Sequence, residues 1–241
     1  MASLLTELFE GIFVTLISIF APIFLVLTLI IIYKVKRYQN SQYSQQTRHS
    51  YFKVVQDTGL FGEYLCVAEI ESKFFQPLIL TNLYLPHPSK KDRTTEIDVI
   101  LINQSGVHVI ESKNYSGWIF GRARDQYWTQ TLPRRKKQRF FNPIKQNELH
   151  LKAIEQVLGV DRIHLHSWIV FSNRSTLKKI ESTEVPVLNR QKWIKELITY
   201  QDFVFDLDEQ VRLYEILRSF TQVDTTVTLK HIEDIKSTIK Q

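Results

Sequence analysis

The distribution of hydrophobic and polar positions divides the chain into an apolar N-terminal segment and a longer part of mixed character. Residues 11–33 contain no charged residue and consist mainly of Ile, Leu, Phe and Val. At about 1.5 Å per residue, a helix of these 23 residues is longer than the roughly 30 Å hydrocarbon core of a bilayer. The pattern therefore predicts one membrane-spanning helix.

The charges on either side of this segment predict its orientation. Lys34, Lys36 and Arg37 follow it directly, whereas the two charged residues before it are acidic. The positive-inside rule then places the N-terminus outside and the C-terminal part in the cytoplasm. A cleaved signal peptide is disfavoured, because no basic residue precedes the segment and no small-residue cleavage site follows it. Residues 38–56 are rich in Gln, Ser and Asn and predict a polar linker.

Short apolar runs bounded by turn residues predict a β-sheet in the remaining chain. Two β-branched runs at 97–102 and 107–110 flank the sequence Asn-Gln-Ser-Gly, which is typical of a β-hairpin. Further strands are predicted at 77–85 and 166–171. Ile97, Val99, Leu101 and Ile110 are expected on one face of the hairpin. Because both faces are apolar, we expect helices to cover both sides of the sheet.

Helical periodicity completes an α/β pattern. Helices are predicted at 59–71, between Asn142 and Gly159, and at 191–200, 207–220 and 228–240. The predicted organisation is an anchor at 1–37, a linker at 38–56, a core at 57–160 and a C-terminal α/β extension at 161–241 that packs on the core.

Composition limits the possible chemistry only weakly. Lys and Arg number 31 and Asp and Glu 25, so the net charge is +6, a mild excess that favours an anionic partner. The single cysteine, Cys66, excludes an internal disulfide and a zinc site built from cysteines.

One stretch of the chain is rich in Lys and Arg and has aromatic neighbours. Its seven cations are Arg122, Arg124, Arg134, Arg135, Lys136, Lys137 and Arg139. Phe140 and Phe141 follow them, and Asp125 is the only acidic residue between 122 and 139. This pattern suits contact with nucleic-acid phosphates and stacked bases. The alternatives are a solvated loop and attraction to anionic lipid head groups.

Three charged residues interrupt the apolar hairpin: Asp98, Glu111 and Lys113. Side chains alternate along a strand, so Glu111 and Lys113 share a face. A two-residue turn at either 104–105 or 105–106 brings Asp98 to the same face, whereas a three-residue turn does not. Both a buried ion pair and a functional site are consistent with this cluster.

The spacing of these residues resembles a nuclease motif. Asp98, twelve intervening residues and then Glu111-Ser112-Lys113 resemble the motif of the PD-(D/E)XK nucleases. Ile97 stands where that motif has proline. The wider context resembles the NERD (nuclease-related) domain over roughly residues 59–158. It consists of Gly62-Glu63, the strands T-E-I-D-V-I-L-I and G-V-H-V-I-E-S-K-N-Y-S-G, Trp128, and F-N-P-I-K-Q-N-x-x-H.

This resemblance implies a restriction-endonuclease-like mixed β-sheet flanked by helices, and a metal-dependent phosphodiester hydrolase that acts on DNA or RNA. Asp98, Glu111 and the helix-borne Glu63 would hold Mg²⁺ or Mn²⁺. Lys113 would position water or neutralise the transition state, and Gln146 would orient the lysine. The alternative is a catalytically inactive, membrane-tethered module that binds nucleic acid or protein.

Other polar residues on predicted buried faces have simpler interpretations. Glu63 borders the apolar face of its helix and is also consistent with an edge residue that reaches water. Asn147 and His150 lie within the apolar arc of a later helix and are expected to bind neighbouring backbone groups. His164 and His166 could bind a metal, but a structural role is favoured because no carboxylate stands at matching spacing.

Overall fold

The computed structural model describes residues 2–182 and 184–221. The helices are α1 (Ala2–Gln39), α2 (Gln42–Thr47), α3 (Tyr51–Gln56), α4 (Thr58–Glu71), α5 (Pro143–Leu158), α6 (Arg190–Leu197) and α7 (Leu207–Arg218). The strands are β1 (Leu78–Pro86), β2 (Thr94–Asn103), β3 (Gly106–Lys113), β4 (Gly117–Arg122), β5 (Tyr127–Thr131), β6 (Lys137–Phe141), β7 (Leu165–Phe171), β8 (Ser175–Glu181) and β9 (Val187–Asn189). The predicted mixed α/β fold is confirmed.

The central sheet has the strand order β1-β2-β3-β7-β9. β1, β2 and β3 are antiparallel neighbours, and β7 and β9 continue the sheet in parallel. The predicted hairpin is confirmed with a two-residue turn at 104–105, because Asn103 pairs with Gly106. Gly106 has a φ of 137°, and a Cβ there would lie 2.5 Å from the carbonyl oxygen of His164. This closing position therefore requires glycine.

Helices cover both faces of this sheet, as predicted from the apolar character of both faces. On one face, α4 and α6 pack with the segment before α4 against side chains such as Leu101 and Trp168. On the other face, α5 and α7 pack against side chains such as Ile100 and Val109. α5 begins at the N-cap Asn142 and ends at Gly159 in the left-handed conformation, as predicted.

A second sheet has the strand order β6-β5-β4-β8. One of its faces buries Ile119 and Trp128 against Ile169 and Phe171 of β7. The basic stretch is therefore ordered rather than an open loop, since it contributes a 3-10 turn at Pro133–Arg135 and the edge strand β6.

The prediction of a polar linker at 38–56 is wrong. The segment forms α2 and α3, and Tyr38, Tyr43 and Val54 are at most 1% exposed. Serines cap both helices, and the Tyr38 hydroxyl donates a hydrogen bond to the His49 carbonyl at 2.7 Å. Most residues of this segment are polar, but its aromatic side chains provide enough apolar surface to be buried.

The predicted boundary at residue 160 is also wrong. β7 pairs with β3 inside the central sheet, and β8 pairs with β4 in the second sheet. Strands after residue 160 therefore complete both sheets and do not form an extension that packs on a finished core. The helix predicted at 228–240 lies outside the described residues.

α1 carries the predicted apolar span. Within it, Glu10–Gln39 has a mean hydropathy of 2.8 over its most apolar window, and none of that window is buried in the protein. The hydroxyls of Thr15 and Thr28 donate to carbonyls one turn earlier, those of Gly11 and Phe24. The helix is thus long and apolar enough to cross a membrane.

Candidate active site

The hairpin register brings the predicted charged residues together. The last ladder pair between β2 and β3 joins Val99 and Ile110, so Asp98 and Glu111 occupy the next position, where the strands begin to separate. Lys113 forms an ion pair with Glu111, which is 1% exposed. The main-chain N–H of Ser112 donates to Asp98 Oδ2 at 2.9 Å. Two carboxylates and an ammonium therefore converge at the open end of the hairpin.

An irregularity in the strand accompanies Asp98. Asn82, which stands opposite it on β1, is omitted from the ladder and has a left-handed φ of 53°. Val99 belongs to one core and Ile97 to the other. In a regular strand these two side chains would share a face, so the prediction that they do is wrong. Interruptions of this kind re-aim side chains and are common beside active sites.

α4 brings Glu63 to the same place. Asp57 caps the helix by accepting hydrogen bonds from the N–H groups of Gly59 and Leu60. Gly62 then lies so close to the end of β3 that a Cβ there would be 2.6 Å from the Cβ of Asn114. This close approach requires glycine and places the next residue, Glu63, beside the hairpin.

Tyr43 holds the carboxylate of Glu63. Its ring is fully buried, and its hydroxyl donates to Glu63 Oε2 at 2.9 Å. Sequence reasoning missed this residue because it lies in the segment interpreted as a linker. The signal that could have identified it is the presence of tyrosines in an otherwise polar segment next to an apolar helix.

α5 contributes Gln146 and His150. The Lys113 ammonium donates to Gln146 Oε1 at 3.2 Å, so the glutamine lies beside the lysine. His150 lies one turn later and is 2% exposed. Its Nε2 is 3.1 Å from Glu111 Oε2, and its Nδ1 is 2.8 Å from the hydroxyl of Thr95. Because a carboxylate can only accept, Nε2–H donates to Glu111.

The structure separates the interpretations offered for the other polar residues. Asn147 binds the backbone as predicted, donating to the Val109 carbonyl at 3.0 Å. The expectation for His150 is wrong, because its partners are a carboxylate and a hydroxyl. His166 donates to the Ser105 carbonyl at 2.9 Å and stacks on His108, which fits the favoured structural role.

Burial and neighbouring negative charges make part of the carboxylate cluster hard to ionise. Burial, followed by the charges of Glu111 and Glu63, raises the pKa of Asp98 well above its ordinary value. Burial also raises the pKa of Glu63 to about 7, although the hydrogen bond from Tyr43 lowers it. These carboxylates therefore lack a nearby positive charge sufficient to balance them.

Glu111 and Lys113 are the charged pair in this cluster. Burial opposes ionisation of Glu111, but the Lys113 charge and the His150 hydrogen bond outweigh it and hold the pKa of Glu111 below its ordinary value. Burial likewise opposes the charge on Lys113, yet Glu111 and Asp98 raise its pKa. The Lys113 side chain is 17% exposed, so the pair is not sealed from solvent.

The donor chemistry of the cluster fits a hard divalent cation, although the geometry is not pre-assembled. Asp98, Glu111 and Glu63 offer carboxylate oxygens, the ligands that Mg²⁺ and Mn²⁺ prefer. The raised pKa values of Asp98 and Glu63 show that added positive charge would stabilise their ionised forms. Among the residues that the structure describes, no three His, Cys, Asp or Glu side chains are spaced to hold an ion.

The basic residues of the second sheet lie at the surface. Arg122, Arg124, Arg134, Lys136, Lys137 and Arg139 are exposed. Arg122 forms an ion pair with Glu181 at 3.4 Å, and the Arg139 guanidinium lies 4.8 Å from the centre of the Tyr127 ring. The seventh predicted cation, Arg135, ends the 3-10 turn.

The fold and this cluster define a nuclease-like α/β core. Residues 58–172 match the family described as the nuclease-related domain, NERD. The matched residues include Glu63, Asp98, Glu111, Lys113 and Gln146, but they exclude α2 and β8.

Similar proteins add little about activity. An uncharacterized protein of Bacillus anthracis is 35% identical over 142 residues, which are 58% of this chain and 66% of that protein. The chain thus spans just under two thirds of this relative. Among solved structures, Can2 from Sulfobacillus thermosulfidooxidans in complex with cyclic tetra-adenylate matches 69% of this chain and 38% of that chain, at 17% identity. Its TM-score of 0.24 carries no further argument.

Proposed function

We propose that the protein is a membrane-tethered, metal-dependent phosphodiester hydrolase that cleaves DNA or RNA. The observation that carries the proposal is the convergence of Asp98, Glu111, Lys113 and Glu63 at the open end of one hairpin. Burial and the charges of neighbouring carboxylates raise the pKa values of Asp98 and Glu63. Such perturbed clusters are typical of functional sites.

Asp98, Glu111 and Glu63 would hold Mg²⁺ or Mn²⁺. The bound ion would lower the pKa of a water molecule and polarise the phosphate. The ion pair between Lys113 and Glu111 must open for Glu111 Oε1 to bind the ion, and the exposed fraction of Lys113 allows this movement. His150 would keep the other oxygen of Glu111 oriented through its hydrogen bond.

Lys113 and Gln146 would act on the reacting groups. The Lys113 ammonium is a compact charge with three donors, so it can neutralise negative charge that develops on the phosphate. Gln146 accepts a hydrogen bond from it and fixes its position. Water would attack phosphorus and release a proton to solvent, the bond to one ester oxygen would break, and the leaving alkoxide would take up a proton from solvent.

The basic stretch of the second sheet would bind the substrate backbone. Arg122, Arg124, Arg134, Arg135, Lys136, Lys137 and Arg139 form the proposed contact set. Binding through phosphates depends strongly on salt and carries little sequence information. α1 would cross the membrane through residues 11–33, with the N-terminus outside and the nuclease-related domain in the cytoplasm.

The test is cleavage by the full-length protein in detergent micelles. Wild-type protein should degrade labelled DNA or RNA with Mn²⁺ or Mg²⁺ and lose this activity in EDTA. Lys113→Ala and Asp98→Ala should abolish metal-dependent cleavage. Lys145→Ala is a matched control, since Lys145 is an exposed lysine next to Gln146 whose ammonium donates to the Arg124 carbonyl. Cleavage that persists in both Lys113→Ala and Asp98→Ala would refute the mechanism.

A second candidate is a tethered module that binds nucleic acid or protein without cleaving it. The observation that favours it is that both Glu111 oxygens already have partners, Lys113 and His150. In that case the Lys113–Glu111 pair is a structural ion pair. The same experiment distinguishes the two functions, because a module would bind oligonucleotide in EDTA and leave it intact when Mn²⁺ is added.

A further inference from the structure

The outer face of the second sheet carries exposed aromatic rings. Trp118 is 51% exposed, and Tyr127 and Phe141 are each 44% exposed. Their chain neighbours Ile119 and Trp128 are at most 1% exposed, because alternate residues point into the core. Large exposed rings are expensive to leave in water, so a group of them on one sheet face indicates a binding surface.

The strand register places these rings together with cations. Tyr127 pairs with Phe141, and their ring centres are 6.1 Å apart. Trp118 pairs with Thr131, which in turn pairs with Lys137. Directly paired residues share a face, so Lys137 lies on the same surface as the three rings.

Two cations lie over the rings themselves. The Arg139 guanidinium is 4.8 Å from the centre of the Tyr127 ring, and the Lys178 ammonium is 5.3 Å from that of Trp118. Lys178 comes from β8, at the point where the pairing of β4 with β8 shifts register. It is exposed and lies outside the basic stretch between 122 and 139. Tyr127 and Trp118 therefore each have a positive charge within reach of a phosphate bound beside the ring.

Rings interleaved with cations match the chemistry of unpaired nucleotides. A base can stack on an aromatic face while its phosphate contacts a neighbouring cation. In a duplex the base faces are already stacked inside the helix, so such rings would gain nothing from it. An anionic membrane would favour rings that insert alone, with the cations directed away from them towards the head groups. The placement of cations over the ring faces favours single strands.

Short connections join this face to the candidate active site at both ends. β4 begins at Gly117, four positions after Lys113. β6 ends at Phe141, five positions before Gln146. The chain therefore passes from the candidate active site into this sheet, and back to it, within a few residues.

We propose that the outer face of the second sheet binds single-stranded nucleic acid by stacking bases on Trp118, Tyr127 and Phe141, with Arg139 and Lys178 contacting its phosphates. The proposal rests on the proposed function, since it names the form of the substrate. It can nevertheless be tested without cleavage, because binding is measured in EDTA.

The experiment uses the full-length protein in detergent micelles with a fluorescein-labelled thymidine oligonucleotide, and fluorescence anisotropy as the readout. Trp118→Ala and Tyr127→Ala should each raise Kd by roughly 5- to 150-fold, the range for losing one stacked base. Trp118→Phe keeps a ring and should bind nearly as well as wild type. Phe75→Ala is the matched control, since Phe75 is 92% exposed but lies between α4 and β1.

Two further probes separate stacking from charge. An abasic oligonucleotide of equal length has the same phosphates and should bind at least roughly 10-fold more weakly, because no base can stack. A blunt duplex should also bind more weakly than the single strand. Of the four tryptophans, only Trp118 is exposed, the others being at most 1% exposed. Bound single strand should therefore quench the tryptophan fluorescence that acrylamide can reach.

Several results would overturn the proposal. One is equal Kd values for the abasic and the thymidine strands, and another is wild-type binding by both alanine variants. A third is protection of Trp118 by phosphatidylglycerol vesicles but not by oligonucleotide, which would assign the face to a membrane. Loss of cleavage alone would contradict only the hydrolase, since binding in EDTA does not depend on it.

Discussion

Replacing Glu63 by Gln should stabilise the metal-free protein at pH 8 and change its stability little at pH 5. Burial raises the pKa of Glu63 to about 7, with smaller contributions from the charges of Glu96 and Glu111. Its ordinary value is 4.5. A carboxyl with a raised pKa stabilises the folded protein when it is protonated. The contribution of Glu63 to the free energy of unfolding is therefore fully present below pH 4.5 and is lost as pH rises through 7. Glutamine mimics the protonated group and can still accept the hydrogen bond from Tyr43.

The expected size follows from the two pKa values of Glu63. The interval between 4.5 and about 7 corresponds to roughly 3 kcal/mol at about 1.36 kcal/mol per pH unit. Linkage reduces this to under about 1 kcal/mol at pH 5, where the folded protein is already protonated. Glu63 keeps some contact with solvent, so we expect about 1–3 kcal/mol at pH 8. For a chain of this size, that is a rise in Tm of roughly 2–10 °C.

The assay is thermal unfolding of the full-length protein in detergent and EDTA, followed by intrinsic fluorescence at pH 5, 6, 7 and 8. Glu196→Gln is the matched control, because Glu196 is exposed on α6 and should show the same small effect at every pH. Mn²⁺ should stabilise wild type more than Glu63→Gln. A lower Tm for Glu63→Gln at pH 8, or a difference that does not change with pH, would refute the reasoning.

Three further substitutions test buried polar groups, two beside the cluster and one near the turn of the hairpin. His150→Ala should raise the Mn²⁺ concentration for half-maximal cleavage by roughly 10- to 100-fold, because Glu111 loses an orienting donor; an unchanged titration would contradict this. Tyr43→Phe should move the acidic limb of the cleavage profile to higher pH. The hydrogen bond from Tyr43 lowers the pKa of Glu63, so its loss should raise that pKa. A limb that stays in place argues against this. Burial, with the charge of His166, lowers the pKa of His108 well below 6.5. As pH falls, the unfolded chain takes up a proton at this residue and the folded protein does not, so the free energy of unfolding decreases. Between pH 7 and pH 5, the Tm of His108→Gln should therefore fall less than the Tm of wild type. An equal fall would rule this out.

The hairpin and its charged residues could be predicted because the relevant information is local. Alternation and a turn sequence determine which side chains share a face, and the choice of a two-residue turn brings Asp98 beside Glu111. The cap at Asn142 predicted the helix that carries Gln146, whereas its place beside the lysine was implied by the resemblance to the nuclease motif. None of these steps requires knowledge of a distant partner.

The remaining parts of the site depend on contacts between distant segments. His150 was correctly placed on the buried side of its helix, but nothing local shows that it meets Glu111, 39 positions earlier. α2 and α3 have six residues each, too few to show a helical period, so the packing of Tyr43 was hidden. The interruption opposite Asn82 was also unpredictable, since it arises from pairing between two strands.

The packing of the segment after α1 joins the apolar helix to the site. Tyr38, in the last turn of α1, contacts Tyr64 of α4 edge to face, with ring centres 5.1 Å apart. The ring of Tyr43 also contacts Tyr64, and its hydroxyl donates a hydrogen bond to Glu63. If a flexible tether joined α1 to the site, movement of α1 would not affect the site. Buried aromatic contacts instead transmit a displacement of α1, because protein cores are close-packed. The position of Glu63 therefore depends on residues that lie before the matched range 58–172 and directly next to the helix that could span a membrane.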